Sequence, residues 1–201
     1  MYRLLSFSTL LILIVSVSCV EKKSAALETH FTKEDSLTDR YLALQDSMLQ
    51  AWNIMINDDN RKIKSLHYLI NELYAEQELT ANQKKSLEHQ LEQLMRIRYT
   101  PKTMANPDVV EEYDFACSSL ISEIIALATA SPHFISNKSL QSLTESVTDA
   151  DQRIQLYRGE YDLIATQYNS FVQKYKDILK YVDQDSSFEQ RPLFNMLVDE
   201  Q

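Results

Sequence analysis

The chain has 201 residues, 44% of them hydrophobic and 24% charged, with one glycine and four prolines. Average usage is about 7% glycine, or roughly 14 in a chain this long, so turn-rich β folds and the glycine-rich loops that cradle phosphates or dinucleotides are excluded. Twenty Lys and Arg stand against 29 Asp and Glu for a formal net charge of −9, which opposes any large contact with a phosphate backbone and removes nucleic acid as an expected partner.

At the N-terminus Arg3 precedes an apolar stretch from Leu4 to Val17, and Ser18-Cys19 follows before the charged Glu21-Lys22-Lys23. This arrangement resembles a bacterial lipoprotein signal, in which a small residue precedes a Cys that is lipidated and becomes the new N-terminus. The resemblance implies a signal peptide over residues 1–18, lipid on Cys19 and a polar tether over 19–34. The rival reading is a retained membrane span, but a span needs about 20 apolar residues, and this stretch is shorter and interrupted by Ser6, Ser8 and Thr9. In either reading the chain is held at a membrane through its N-terminus. By the sorting rule of lipoproteins, Val20 rather than Asp after the Cys favours an outer membrane where the cell has one. With Cys19 lipidated, Cys117 is the one thiol left. It lies among Phe115, Ala116 and Leu120 without a neighbouring His, the setting of a buried apolar side chain.

The periodicity of the remainder is helical. From Asp35 to about Glu78, Leu42, Leu49, Trp52, Ile56, Ile63, Leu66, Ile70 and Leu73 recur at three- and four-residue steps, widened by Tyr41, Leu44, Met48, Ala51 and Met55. Thr80-Ala81-Asn82-Gln83 reads as a capping box that opens a second helix, which stops near Thr100-Pro101. Asn106-Pro107 opens a third that ends before Ser131-Pro132. A fourth, over about 138–182, carries Leu140, Leu143, Val147, Ala150, Ile154, Tyr157, Tyr161, Ile164, Tyr168, Phe171, Tyr175, Ile178 and Val182 in a coiled-coil register. Residues 183–201 read as a polar tail. The expected fold is all-α, an antiparallel bundle of two long helices (about 35–78 and 138–182) and two shorter ones between them.

Length then predicts an asymmetry. Two helices of roughly 65 Å cannot be covered by two of roughly 27 and 35 Å, so one end should be a four-helix bundle and the other a pair. The pair would carry Tyr41, Met48, Trp52, Met55, Tyr161, Tyr168, Phe171 and Tyr175, more apolar surface than two helices bury, and is the expected surface for self-association or a protein partner. The competing expectation is that the short helices lie lower or that the tail folds back through Leu193 and Phe194.

Gln50-Ala51-Trp52-Asn53 and Asn60-Arg61-Lys62-Ile63-Lys64-Ser65-Leu66 resemble the N-terminal signature of the LemA family of bacterial envelope proteins. Asp151-Gln152-Arg153-Ile154, Arg158, Glu160-Tyr161-Asp162 and Tyr168-Asn169-Ser170 resemble its C-terminal signature, with Asp162 where the family has the first of two Asn. The resemblance implies a membrane-attached antiparallel bundle facing the periplasm or exterior, of unassigned activity, with Arg61, Lys62, Arg153, Arg158 and Asn169 as its polar motif residues. Arg61 and Lys62 are placed to pair with Asp151, Glu160 or Asp162 on the other long helix, and Asp59 and Gln45 occupy seam positions that fix register.

No two of His30, His67, His89 and His133 stand four apart, and none follows a Glu by three, so zinc-helix and di-iron ligand patterns are missing and neither metal nor cofactor is expected. No catalytic set is legible. The preferred function is a non-enzymatic interaction or scaffold module, and the alternative is a sensor or carrier that holds an apolar molecule between its helices.

Overall fold

The computed structural model describes residues 32–182 and 188–194. They fall almost wholly within one compact unit that begins at Glu34. The expected signal peptide, Cys19 and most of the expected tether lie outside the described residues, as do 183–187 and 195–201 of the tail.

Four α-helices make up the unit: α1 (Lys33–Ala75), α2 (Ala81–Ile97), α3 (Pro107–Ala130) and α4 (Lys138–Val182), with a short 3-10 turn at Thr103–Ala105. Local chemistry sets their ends. The Thr80 hydroxyl accepts from the Gln83 N–H at 3.3 Å while Gln83 Oε1 accepts from the Thr80 N–H at 2.9 Å, the reciprocal capping box. Asn106 Oδ1 takes the Asp108 N–H at 3.1 Å, and Asn137 Oδ1 takes those of Ser139 and Leu140 at 2.9 and 3.1 Å. The first helix stops three residues earlier than its periodicity predicts. Gln77 adopts φ 64°, and the Glu78 and Gln77 N–H groups donate to the Leu73 and Tyr74 carbonyls at 3.0 and 3.1 Å, a Schellman closure made without glycine.

The long helices α1 and α4 run antiparallel along their whole shared length. Asn137 donates to Glu72 at 2.9 Å, Ser65 and Ser146 share a hydrogen bond at 3.2 Å, Lys62 meets Asp151 at 3.3 Å, and the rings of Tyr41 and Tyr168 lie 5.9 Å apart. At one end α2 and α3 complete a four-helix core in which Leu66, Leu69, Ile70, Leu73, Ile124 and Leu140 are wholly buried. By length and composition α3 could cross a membrane, but Tyr113, Cys117, Leu120, Ile121, Ile124 and Ala128 are buried in the bundle.

Two register expectations are corrected at the other end. On α1, Leu42 and Leu49 are exposed, and the buried face is Tyr41, Leu44, Met48, Ala51 and Met55. On α4 Tyr161 and Tyr168 are buried as predicted, but the positions that alternate with them are Arg158, Ala165, Val172 and Leu179, one residue on from the predicted Tyr157, Ile164, Phe171 and Ile178, which are only partly buried. At the first of these positions the buried residue is charged: Arg158 is held by the buried Tyr99 hydroxyl and the half-exposed Asp114, so it occupies a core position that hydrophobic pattern assigns to its neighbour. Tyr175 departs from helical geometry at φ −117° and ψ 16°, which bends the last turns of α4.

Candidate functional site

A layer of buried charge crosses the middle of the bundle. Asp58, Asp59 and Lys62 on α1 and Arg158 on α4 are each no more than 4% exposed. Asp58 receives a two-pronged contact from Arg153, at 3.1 Å to each oxygen, and one from Arg61 at 2.9 Å. Asp59 accepts from the Tyr113 hydroxyl at 2.6 Å and from Arg98 at 3.2 Å, and its second oxygen faces Lys62 at 3.2 Å. Lys62 also reaches Asp151 at 3.3 Å. Arg158 grips both oxygens of Asp114, at 2.6 and 2.7 Å, and donates to the Tyr99 hydroxyl at 3.1 Å. Helices α1, α3 and α4 and the loop after α2 thus contribute to three adjacent polar clusters, around Asp58, around Asp59 and Lys62, and around Arg158.

The protonation states follow from these surroundings. Burial acts to lower the Lys62 pKa, but Cys117, Asp59 and Asp151 together raise it by more, so the ammonium is held. Burial pushes the Cys117 thiol up against the opposing pull of Lys62, which keeps it neutral and unreactive. Burial, reinforced by Asp59, pushes Tyr113 up, and burial does the same to Tyr99 against Arg158.

Beside this layer, at the end where only α1 and α4 continue, residues 188–194 lie as an extended segment across the two helices. Asn169 donates to the Arg191 carbonyl at 2.9 Å and accepts the Arg191 N–H at 2.7 Å. Asp162 accepts the Phe194 N–H at 2.7 Å. The Phe194 ring stacks on Trp52 at 6.3 Å, meets Tyr99 and Tyr161 edge-on at 5.3 and 5.7 Å, and carries the Arg158 guanidinium 5.0 Å above it. Phe188 is buried against Tyr41 at 5.7 Å, and the Arg191 guanidinium lies 5.4 Å over the Tyr168 ring.

This segment corrects the predicted open patch. Tyr41, Met48, Met55, Tyr161 and Tyr168 are all buried, and Trp52, Phe171 and Tyr175 are partly buried and packed on the same core. The reason is physical: Phe188 and Phe194 supply the apolar cover that two helices lack, so part of the polar tail is an ordered element of the core. Lys62 pairs with Asp151 as expected, whereas Arg61 pairs within its own helix and Asp162 holds the tail backbone. Asp59 does occupy a seam position, and Gln45 donates to the Tyr41 hydroxyl at 2.8 Å. Asp58, Arg98, Tyr99, Tyr113 and Asp114 carry no motif signal that ties them together; the one local hint is that Asp58 and Asp59 each stand three residues before a cation, Arg61 and Lys62. Among the described residues no group of three His, Cys, Asp or Glu is placed to hold a metal ion.

The all-α bundle, its charged layer and the clamped tail define an antiparallel helical-bundle protein of a particular sort. The LemA family model matches residues 57–201, a span that takes in Lys62, Arg153, Arg158, Asn169 and the docked tail, and the chain belongs to the LemA family. No curated protein and no solved structure matches it.

Proposed function

We propose that this protein is a lipid-anchored, non-enzymatic interaction or scaffold module of the bacterial cell envelope. The observation that carries the reading is the aromatic face of α1 and α4, Tyr41, Trp52, Tyr161 and Tyr168, which packs against an extended segment and, at Trp52, against Tyr99 of the loop after α2. Faces of this composition are interface material. The charged layer supports the same reading: its Lys and Arg are held in ion pairs and its thiol is neutral, so the groups able to do chemistry serve to fix the helices. The likeness of residues 1–19 to a lipoprotein signal supports anchoring through Cys19.

Feeding cells an alkyne fatty acid should label the wild-type chain and leave Cys19→Ser unlabelled. Cross-linking in intact cells should give a discrete protein adduct that Cys19→Ser loses. A stoichiometric small molecule recovered with the protein, with no adduct, would overturn the reading in favour of a ligand-binding sensor or carrier.

A further inference from the structure

Resting on the interaction-module reading, we propose that the seat of residues 188–194 is a peptide-binding groove. Its resting occupant is the chain's own tail. The partner it fits is an extended segment of another protein with two aromatic residues six apart and an Arg-Pro between them.

The contacts are those of peptide recognition. Asn169 uses its amide oxygen and its amide N–H on the N–H and carbonyl of a single residue, Arg191, which holds an extended main chain whatever the side chain. Specificity sits on either side of that grip, in the Phe188 contact with Tyr41, the Arg191 contact with Tyr168, and the nest of Trp52, Tyr99 and Tyr161 around Phe194. The segment runs antiparallel to α4, with Arg191 at Asn169 and Phe194 at Asp162, and has no regular secondary structure of its own.

Two features make the tail a replaceable occupant. Phe188 sits at φ 47°, a left-handed conformation that is costly for a bulky side chain. It stands at the first residue of the docked segment, and a peptide from another protein need not adopt it there. A cavity of about 210 Å³ also lies open beside the tail, lined by Met48, Leu49, Trp52, Pro101, Tyr161 and Arg191. A partner with a bulkier side chain at that point would fill it.

The test is a fluorescence-anisotropy titration of a labelled peptide of residues 187–195 onto the full chain. Phe188→Ala/Phe194→Ala, which empties the groove, should bind the peptide at least about tenfold more tightly than wild type, because a tethered tail competes at an effective concentration on the order of millimolar. Adding Asn169→Ala to that variant should weaken binding by about tenfold or more. Should the double variant melt, Phe194→Ala alone carries the same two expectations. Equal affinity for the wild-type and emptied chains, or binding indifferent to Asn169→Ala, would overturn the proposal. So would a wild-type dimer that Phe194→Ala dissolves, since the occupant would then be a second copy's tail. Failure of the titration with the cellular adduct intact removes the groove and leaves the interaction module; binding without an adduct removes the module and leaves the groove.

Discussion

The two ends of the bundle are held together differently. At the four-helix end, Leu66, Leu69, Ile70, Leu73, Ile124 and Leu140 are wholly buried by neighbours on regular helices, and fully burying such a side chain stabilises by about 1.5–3 kcal/mol. At the two-helix end, Tyr41, Tyr161 and Tyr168 reach the same burial with the help of a short extended segment. The first end is closed by helices that cannot leave without unfolding the chain. The second is closed by an element with few backbone hydrogen bonds, which is where local opening is expected. The charged layer lies between them and ties α1 to α3, to α4 and to Arg98 just after α2.

The strongest way to break the comparison is to remove its middle. Asp59→Ala leaves Lys62 with one of its two carboxylate partners, and that one half-exposed, and strips the Tyr113 hydroxyl of its acceptor. Loss of one partner of a buried pair costs about 3–5 kcal/mol, so chemical denaturation should show a fall of that order, with both ends loosened. Phe194→Ala acts on one end alone. Its ring is partly buried, so the expected loss is about 2 kcal/mol, below the range for fully buried aromatics. The emission of Trp52, the single tryptophan, should shift to the red as its stacking partner goes.

Alkaline pH sharpens the contrast more gradually. Lys62, Cys117, Tyr99 and Tyr113 all hold their protons more tightly when folded, so the folded chain binds more protons than the unfolded one and stability falls as pH rises. The fall should begin near the unfolded thiol value of about 8.5 and steepen above about 10, where free Tyr and Lys titrate. Thermal midpoints between pH 7 and 11 should trace it, and Cys117→Ala should flatten the portion below about 10.

The smallest effect is a gain. A Cβ at Gly159 would meet nothing within 4 Å, so the chain's lone glycine is a tolerated position in α4 and not a point of close backbone approach. Gly159→Ala should stabilise by about 1 kcal/mol through helix propensity, read as a higher denaturation midpoint at unchanged slope.

Much of the fold was legible in the sequence because its signals are local. The Thr80 and Asn106-Pro107 caps place the starts of α2 and α3 to the residue, and unbroken periodicity gives α4. The end of α1 was overrun because Gln77 closes the helix in the left-handed conformation that a reader expects of glycine. On α4 Tyr161 and Tyr168 were placed correctly but every second seam position was one residue off, and at the first of them nothing local announces that Asp114 and Tyr99 wait for Arg158. The site was half legible. The motif positions Lys62, Arg153, Arg158 and Asn169 all take part, and the tail folding back through Phe194 was the competing expectation, but Phe188 went unread because two aromatics six apart in a polar stretch have no helical or strand period.

Amide hydrogen exchange on the wild-type chain and on Phe188→Ala/Phe194→Ala tests the central claim most directly, that one end is self-sufficient and the other depends on its tail. Protection should fall by on the order of a hundredfold across 41–52 and 161–172 while 63–73 and 120–128 keep theirs, as expected of a separately opening unit. Protection lost equally at both ends, or retained at both, would contradict it.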